Sequence, residues 1–116
     1  VPYEVAAENA ALDGIGAVAS WIALHTADPT AAGVAEVAGG SPAYARKQTT
    51  WSPAASSAKA GTACVIDIPA STTVSHWSLR SAVTGGSMHY YGPLPNPETY
   101  SSQGQYALTP TITASG

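Results

Sequence analysis

Three histidines (His25, His76 and His89), one cysteine (Cys64) and the carboxylates Asp28, Glu36 and Asp67 are the side chains whose types could do chemistry. Their surroundings argue against most of it. Cys64 lies in the apolar run ACVIDI, where a thiol packs as a small core residue and stays inert. A single cysteine allows no intrachain disulfide, and no Cys/His group has zinc spacing. There is no GxSxG elbow, no HExxH, no P-loop and no Rossmann glycine fingerprint. A Ser/His/Asp set can be assembled from any chain with three histidines and many serines, so composition alone is no signal. His76 and His89 flank Gly85-Gly86 and could face each other across a hairpin, but two histidines make at best half a metal site. The reading is therefore of a chain that is not an enzyme, with no catalytic, cofactor-binding or metal residue and no cofactor.

His25 and Asp28 need separate treatment. They stand in LHTADPTAAGVAEVAGG, residues 24–40. An Asp before Pro favours a turn, because its carboxylate accepts local backbone N–H groups while the ring fixes φ. His25 ends an apolar run three residues earlier, so an imidazole–carboxylate contact would clamp the turn. It would not activate a nucleophile without one beside it. Beyond the turn, small residues run to Gly39-Gly40 as a long pliable loop. This loop is expected to be a protein-contact surface carrying Asp28, Pro29, Thr30, Val34, Glu36 and Val37. Tyr90, Tyr91, Tyr100 and Tyr106 cluster near the end of the chain. Exposed, they would suit a glycan or protein partner; in strands, tyrosines more often bury the ring and leave the hydroxyl at the rim.

These residues need elements to position them. Residues 4–13, EVAAENAALD, read as a short helix that Gly14 and Gly16 end. Strand signals follow at 18–24, 43–51, 62–68, 73–83, 87–91 and 105–114. Residues 18–24 are apolar on both faces, as in a central strand. Residues 52–61 read as a low-complexity loop, Thr84-Gly85-Gly86 as a hairpin turn, and 92–97 as a proline-rich crossing barred from a sheet interior. Pro110 makes the last strand an edge or breaks it. The predicted fold is mainly β: a small antiparallel β-sandwich or barrel of about six or more strands with one short N-terminal helix. Residues 1–116 make one domain, with 1–16 as a helical arm and a loose end at 114–116.

Composition narrows the partners. Charged residues are 9% of the chain, against roughly 25% in an ordinary soluble domain. A surface so poor in charge suits packing in an assembly. The net charge is −3 with four basic residues, too few to neutralise phosphates, so no nucleic-acid partner is expected. No apolar run approaches the ~20 residues of a membrane span. No basic region precedes Glu4 and Glu8, so no signal peptide is expected.

The blocks WIALHTADPT, GVAEVAGG, SPAYARKQTTWSPA and VSHWSLRSAVTGGSMHYYGPL follow one another through residues 15–95. In that order they resemble a family of small virion structural proteins of tailed bacteriophages, especially those of actinobacteria, described as head-decoration, minor tail or tail-fibre proteins. The chain departs from the pattern at Ser41-Pro42-Ala43, before Tyr44-Ala45-Arg46, and at Leu79-Arg80-Ser81, where an acidic residue is common. The second departure is expected to alter charge on an outward strand. The resemblance implies a β-rich, non-enzymatic virion component made in the host cytoplasm, with other virion proteins (major capsid or tail proteins) as partners. The first expectation is a capsid decoration protein reinforcing the head as a homo-oligomer, a trimer being one option. The second is a minor tail or tail-fibre-base protein, and the third a carbohydrate-binding host-attachment module.

Overall fold

A computed structural model describes residues 4–114, so expectations for residues 1–3 and 115–116 lie outside it. One helix, α1 (Val5–Val18), precedes eight strands: β1 (Trp21–His25), β2 (Lys47–Gln48), β3 (Ala58–Ala60), β4 (Cys64–Ile68), β5 (Thr72–Arg80), β6 (Met88–Tyr100), β7 (Gly104–Leu108) and β8 (Thr111–Thr113). The chain is mainly β, and every named pairing is antiparallel. A four-stranded sheet runs β2-β1-β5-β6, and two smaller sheets pair β3 with β8 and β4 with β7. Their inner faces share one core of Leu12, Ile22, Leu24, Ile66, Leu79 and Ile112, with flanking residues, in a sandwich-like arrangement.

The register of β1 on β5 sorts side chains by chemistry. Ile22 lies opposite Leu79 and Leu24 opposite Trp77, and these four enter the core. Side chains alternate across a strand. The intervening positions therefore put His25 opposite His76, Ala23 opposite Ser78 and Trp21 opposite Arg80 on the other face. A register shift between Val74 and His76 restores Val74 to the core side. His25, Ser78 and Arg80 are nonetheless buried, so something must cover that second face.

Three expectations need correction. The helix does not stop at Gly14 but runs to Val18. Gly16 serves a close approach, because a Cβ there would collide with Lys59 Cε. The 52–61 stretch is not simply a loop, since β3 lies within it, tied to the helix's polar side. Ser57 Oγ donates to Glu8 Oε1 at 2.6 Å, and Asp13 Oδ1 accepts from Lys59 Nζ at 2.6 Å and from Ala54 N–H at 3.0 Å. The proline-rich 92–97 segment is not a crossing but part of β6. β6 is the sheet's edge, where a residue lacking N–H can sit with that side turned to solvent. Pro110 separates β7 from β8, which then pairs with β3.

Candidate functional site

The segment 26–46 covers the polar face of β1 and β5. Its first turn forms as the sequence dictates: Asp28 Oδ1 accepts Thr30 N–H at 2.9 Å, and Val34 N–H reaches Pro29 O at 2.9 Å. The chain then folds back along β1. Thr26 N–H donates to Ala35 O, Val37 N–H to Leu24 O, and His25 bridges to Glu36. Gly33 is required twice in this return. Its φ is +69°, and a Cβ would stand 2.7 Å from Arg80 Nη2.

His25 does not clamp Asp28. Its Nδ1 lies 2.8 Å from Val34 O and its Nε2 lies 2.8 Å from Ser78 Oγ. A carbonyl only accepts, so Nδ1 carries the proton and Nε2 accepts from the Ser78 hydroxyl. Ser78 Oγ in turn accepts Arg80 Nε–H at 3.1 Å, and Arg80 Nη2 donates to Gly33 O at 3.1 Å. Asp28 is occupied by its own turn and is exposed, whereas the imidazole is fully buried on the strand. Arg80 therefore does not place charge on an outward strand: it is buried and fastens the returning loop.

A second fastening lies alongside. Arg46 holds Glu36 by two hydrogen bonds of 2.8 Å, Nε to Oε2 and Nη2 to Oε1. Its Nη1 donates to Ala82 O at 3.0 Å and Gly85 O at 2.8 Å, tying the loop to the β5–β6 hairpin. Tyr44 Oη donates to Glu36 Oε2 at 2.7 Å and accepts Leu24 N–H at 3.0 Å. Among the described residues, no buried side-chain nitrogen or oxygen lacks a partner.

The electrostatics follow. Burial pushes the His25 imidazole below its ordinary value, against the opposing effect of the Val34 carbonyl. Burial alone would raise the Glu36 carboxyl, but the Arg46 and Tyr44 hydrogen bonds and the arginine charge hold it below the usual value. The Glu36 hydrogen bond raises Arg46 despite burial. Burial and then the adjacent Arg46 charge lower Arg80. Burial, with Glu36 beside it, drives the Tyr44 phenol far upward.

The Ser78–His25 pair has the separation of a hydroxyl and its base, a nucleophile-type neighbour that no local motif signals. Both residues are sealed at 0% exposure, and a backbone carbonyl orients the imidazole where a carboxylate would be needed to stabilise its cation. The pair is walled off from solvent and holds the returning loop.

The expected contact residues divide between two sides. Pro29 is fully buried, Val37 is buried and Glu36 is engaged with Arg46; packing against β1 turns them inward. Asp28, Thr30 and Val34 remain exposed as the loop's outer rim. His76 lies opposite Pro93, not His89, and bonds Ser75 Oγ through Nδ1. No three His, Cys, Asp or Glu side chains converge among the described residues. Cys64 is buried, which pushes its thiol up. Of the tyrosines, Tyr100 and Tyr106 donate their hydroxyls to Gln105 O and Asn96 O. The sequence reading missed Tyr44 and Arg46 as site residues; their only signal was the unusual Tyr44-Ala45-Arg46 after a glutamate-bearing loop.

No curated protein matches the chain significantly. The family model described as "Podophage GP4 fiber I protein gp80" matches residues 6–112, from the helix through β8. With its matched span covering nearly all the described structure, the chain belongs to this podophage fibre protein family, a family of virion structural proteins.

Proposed function

We propose that the chain is a non-enzymatic structural component of a phage tail fibre, held there by contacts with neighbouring virion proteins. The match to a podophage fibre family over residues 6–112 carries this reading. It favours the tail alternative over capsid decoration, the first expectation from the sequence. The side-chain arrangement is in keeping with it: His25, Ser78 and Glu36 are engaged in fixing the 26–46 loop. The exposed apolar residues Val18, Val34, Val65 and Val83 are 45–55% accessible and supply contact points for neighbouring subunits. With so few charges to keep copies apart, several copies would associate through such points. The resemblance of the LHTADP pattern to small actinobacteriophage virion proteins supports the same class of role.

Copy number tests the proposal. Quantitative gel densitometry of purified virions should give a few tens of copies or fewer, as a tail appendage requires. Hundreds of copies per particle would overturn it in favour of a head-decorating protein.

A further inference from the structure

We infer that a groove between β6 and the β7–β8 corner is a binding site for an uncharged pyranose. The groove encloses about 350 Å³, at the small end of clefts that hold ligands. Its wall is the tilted ring pair of Trp77 and Tyr90, with centroids 5.4 Å apart. Its opening comes from Gly92, which lies directly opposite Trp77 in the β5–β6 register. A Cβ at Gly92 would meet only Tyr90 Cε1, at 4.0 Å, so that position opens onto empty space.

The polar groups point to the ligand. Trp51 donates its indole N–H to Ala19 O, but Trp77 has no such partner among the described residues. Trp77 is only 5% exposed, yet no buried side-chain nitrogen is left unpaired among the described residues. Its N–H therefore reaches solvent, and the groove is the opening that Trp77 lines. The Tyr90, Thr109 and Thr111 hydroxyls, also on the groove, have no side-chain hydrogen bond within the described residues. A pyranose matches this set. Its C–H face lies on an aromatic ring, and its hydroxyls both donate and accept.

Charge and backbone exclude other ligands. The groove has no charged lining residue, so nothing there would neutralise an anionic or cationic ligand. Pro93, Pro95 and Pro97 remove N–H donors from the β6 edge, which disfavours an added peptide strand. A polyproline peptide offers carbonyl acceptors but no backbone donors, leaving the groove's hydroxyl oxygens unmatched. The inference does not rest on the fibre reading, because the groove lies within the isolated chain.

The test is NMR titration of the ¹⁵N-labelled protein, following the Trp77 indole N–H. The probes are the methyl pyranosides of galactose, glucose and mannose, with glucuronate and hexaproline for comparison. At least one uncharged pyranoside should move that signal saturably, with Kd of about 1–10 mM. Gly92→Leu should remove the response, and Thr111→Val, which leaves the wall intact, should weaken it about fivefold. The inference is overturned if none of the three pyranosides moves the signal. It is also overturned if both variants respond like the parent, or if hexaproline or glucuronate alone saturates the groove.

Discussion

Arg46 and Glu36 meet as a two-pronged fork, with both hydrogen bonds at 2.8 Å, and the free prong of Arg46 reaches the Ala82 and Gly85 carbonyls. One guanidinium thus joins the 26–46 loop to the β5–β6 hairpin. An arginine does this because its planar donors are fixed in direction; an ammonium cannot match two carboxylate oxygens and two carbonyls together.

Glu36→Gln tests the fork. It leaves a buried guanidinium without its counter-charge, so stability should drop by about 3 kcal/mol, near the low end for breaking a buried pair. The Glu36 side chain is still 24% exposed, which argues against a larger loss. Urea unfolding should show a lower midpoint; an unchanged midpoint would remove the fork from the account. Arg46→Lys should lose nearly as much.

His25 gives the fold a pH dependence with a definite sign. Burial lowers its folded-state value below the ordinary 6.5. The unfolded chain therefore binds the proton more readily. This contribution is fully present above pH 6.5 and declines as pH falls from there through the folded value. Protonated, Nε2–H would face Ser78 Oγ, which already accepts from Arg80, with the Arg80 and Arg46 charges nearby and the Val34 carbonyl and Glu36 in opposition. Urea midpoints measured from pH 7.5 down to 5 should fall, and His25→Gln should flatten that slope. The Glu36 contribution is lost only below its ordinary value of 4.5, outside this window.

Two glycines should respond in opposite directions. Gly33→Ala meets φ of +69° and the Arg80 guanidinium, and should cost about 1–3 kcal/mol. Gly14→Ala lies inside α1 with nothing within 4 Å of the new Cβ, and should add about 0.5–1 kcal/mol. Thermal melts of the two variants check both signs; a stabilised Gly33→Ala would mean that the loop does not hold this conformation.

Val34→Asp probes the loop rim. Val34 is 52% exposed, and only its backbone takes part in the fastening. Thermal stability should change by less than about 0.5 kcal/mol, as for most surface substitutions. Incorporation into particles should fall severalfold in a complementation assay. Normal incorporation would show that the rim is not a contact surface.

The mainly β fold was legible because strand periodicity and Gly/Pro punctuation are local signals. Residues 21–24 of β1 and all of Cys64–Ile68 fell inside predicted strands for that reason. β3 was not legible: Ala58, Lys59 and Ala60 have no strand signal of their own and depend on β8 and the Asp13–Lys59 pair. Proline content concealed β6, since only the whole topology shows it to be an edge. The Asp28 turn was readable from three adjacent residues. The His25–Ser78 bond joins residues 53 apart and depends on the β1–β5 register, which no local pattern fixes. The space beside Trp77 arises from Gly92 across the strands, which again depends on register.

A cryo-electron microscopy map of the intact virion at side-chain resolution tests whether the chain is a tail-fibre component. Density for this chain is expected in a tail fibre, with Thr30 and Val34 against a neighbouring protein and the Arg46–Glu36 fork intact. Density for the chain on the capsid lattice, and none in the tail, would contradict it.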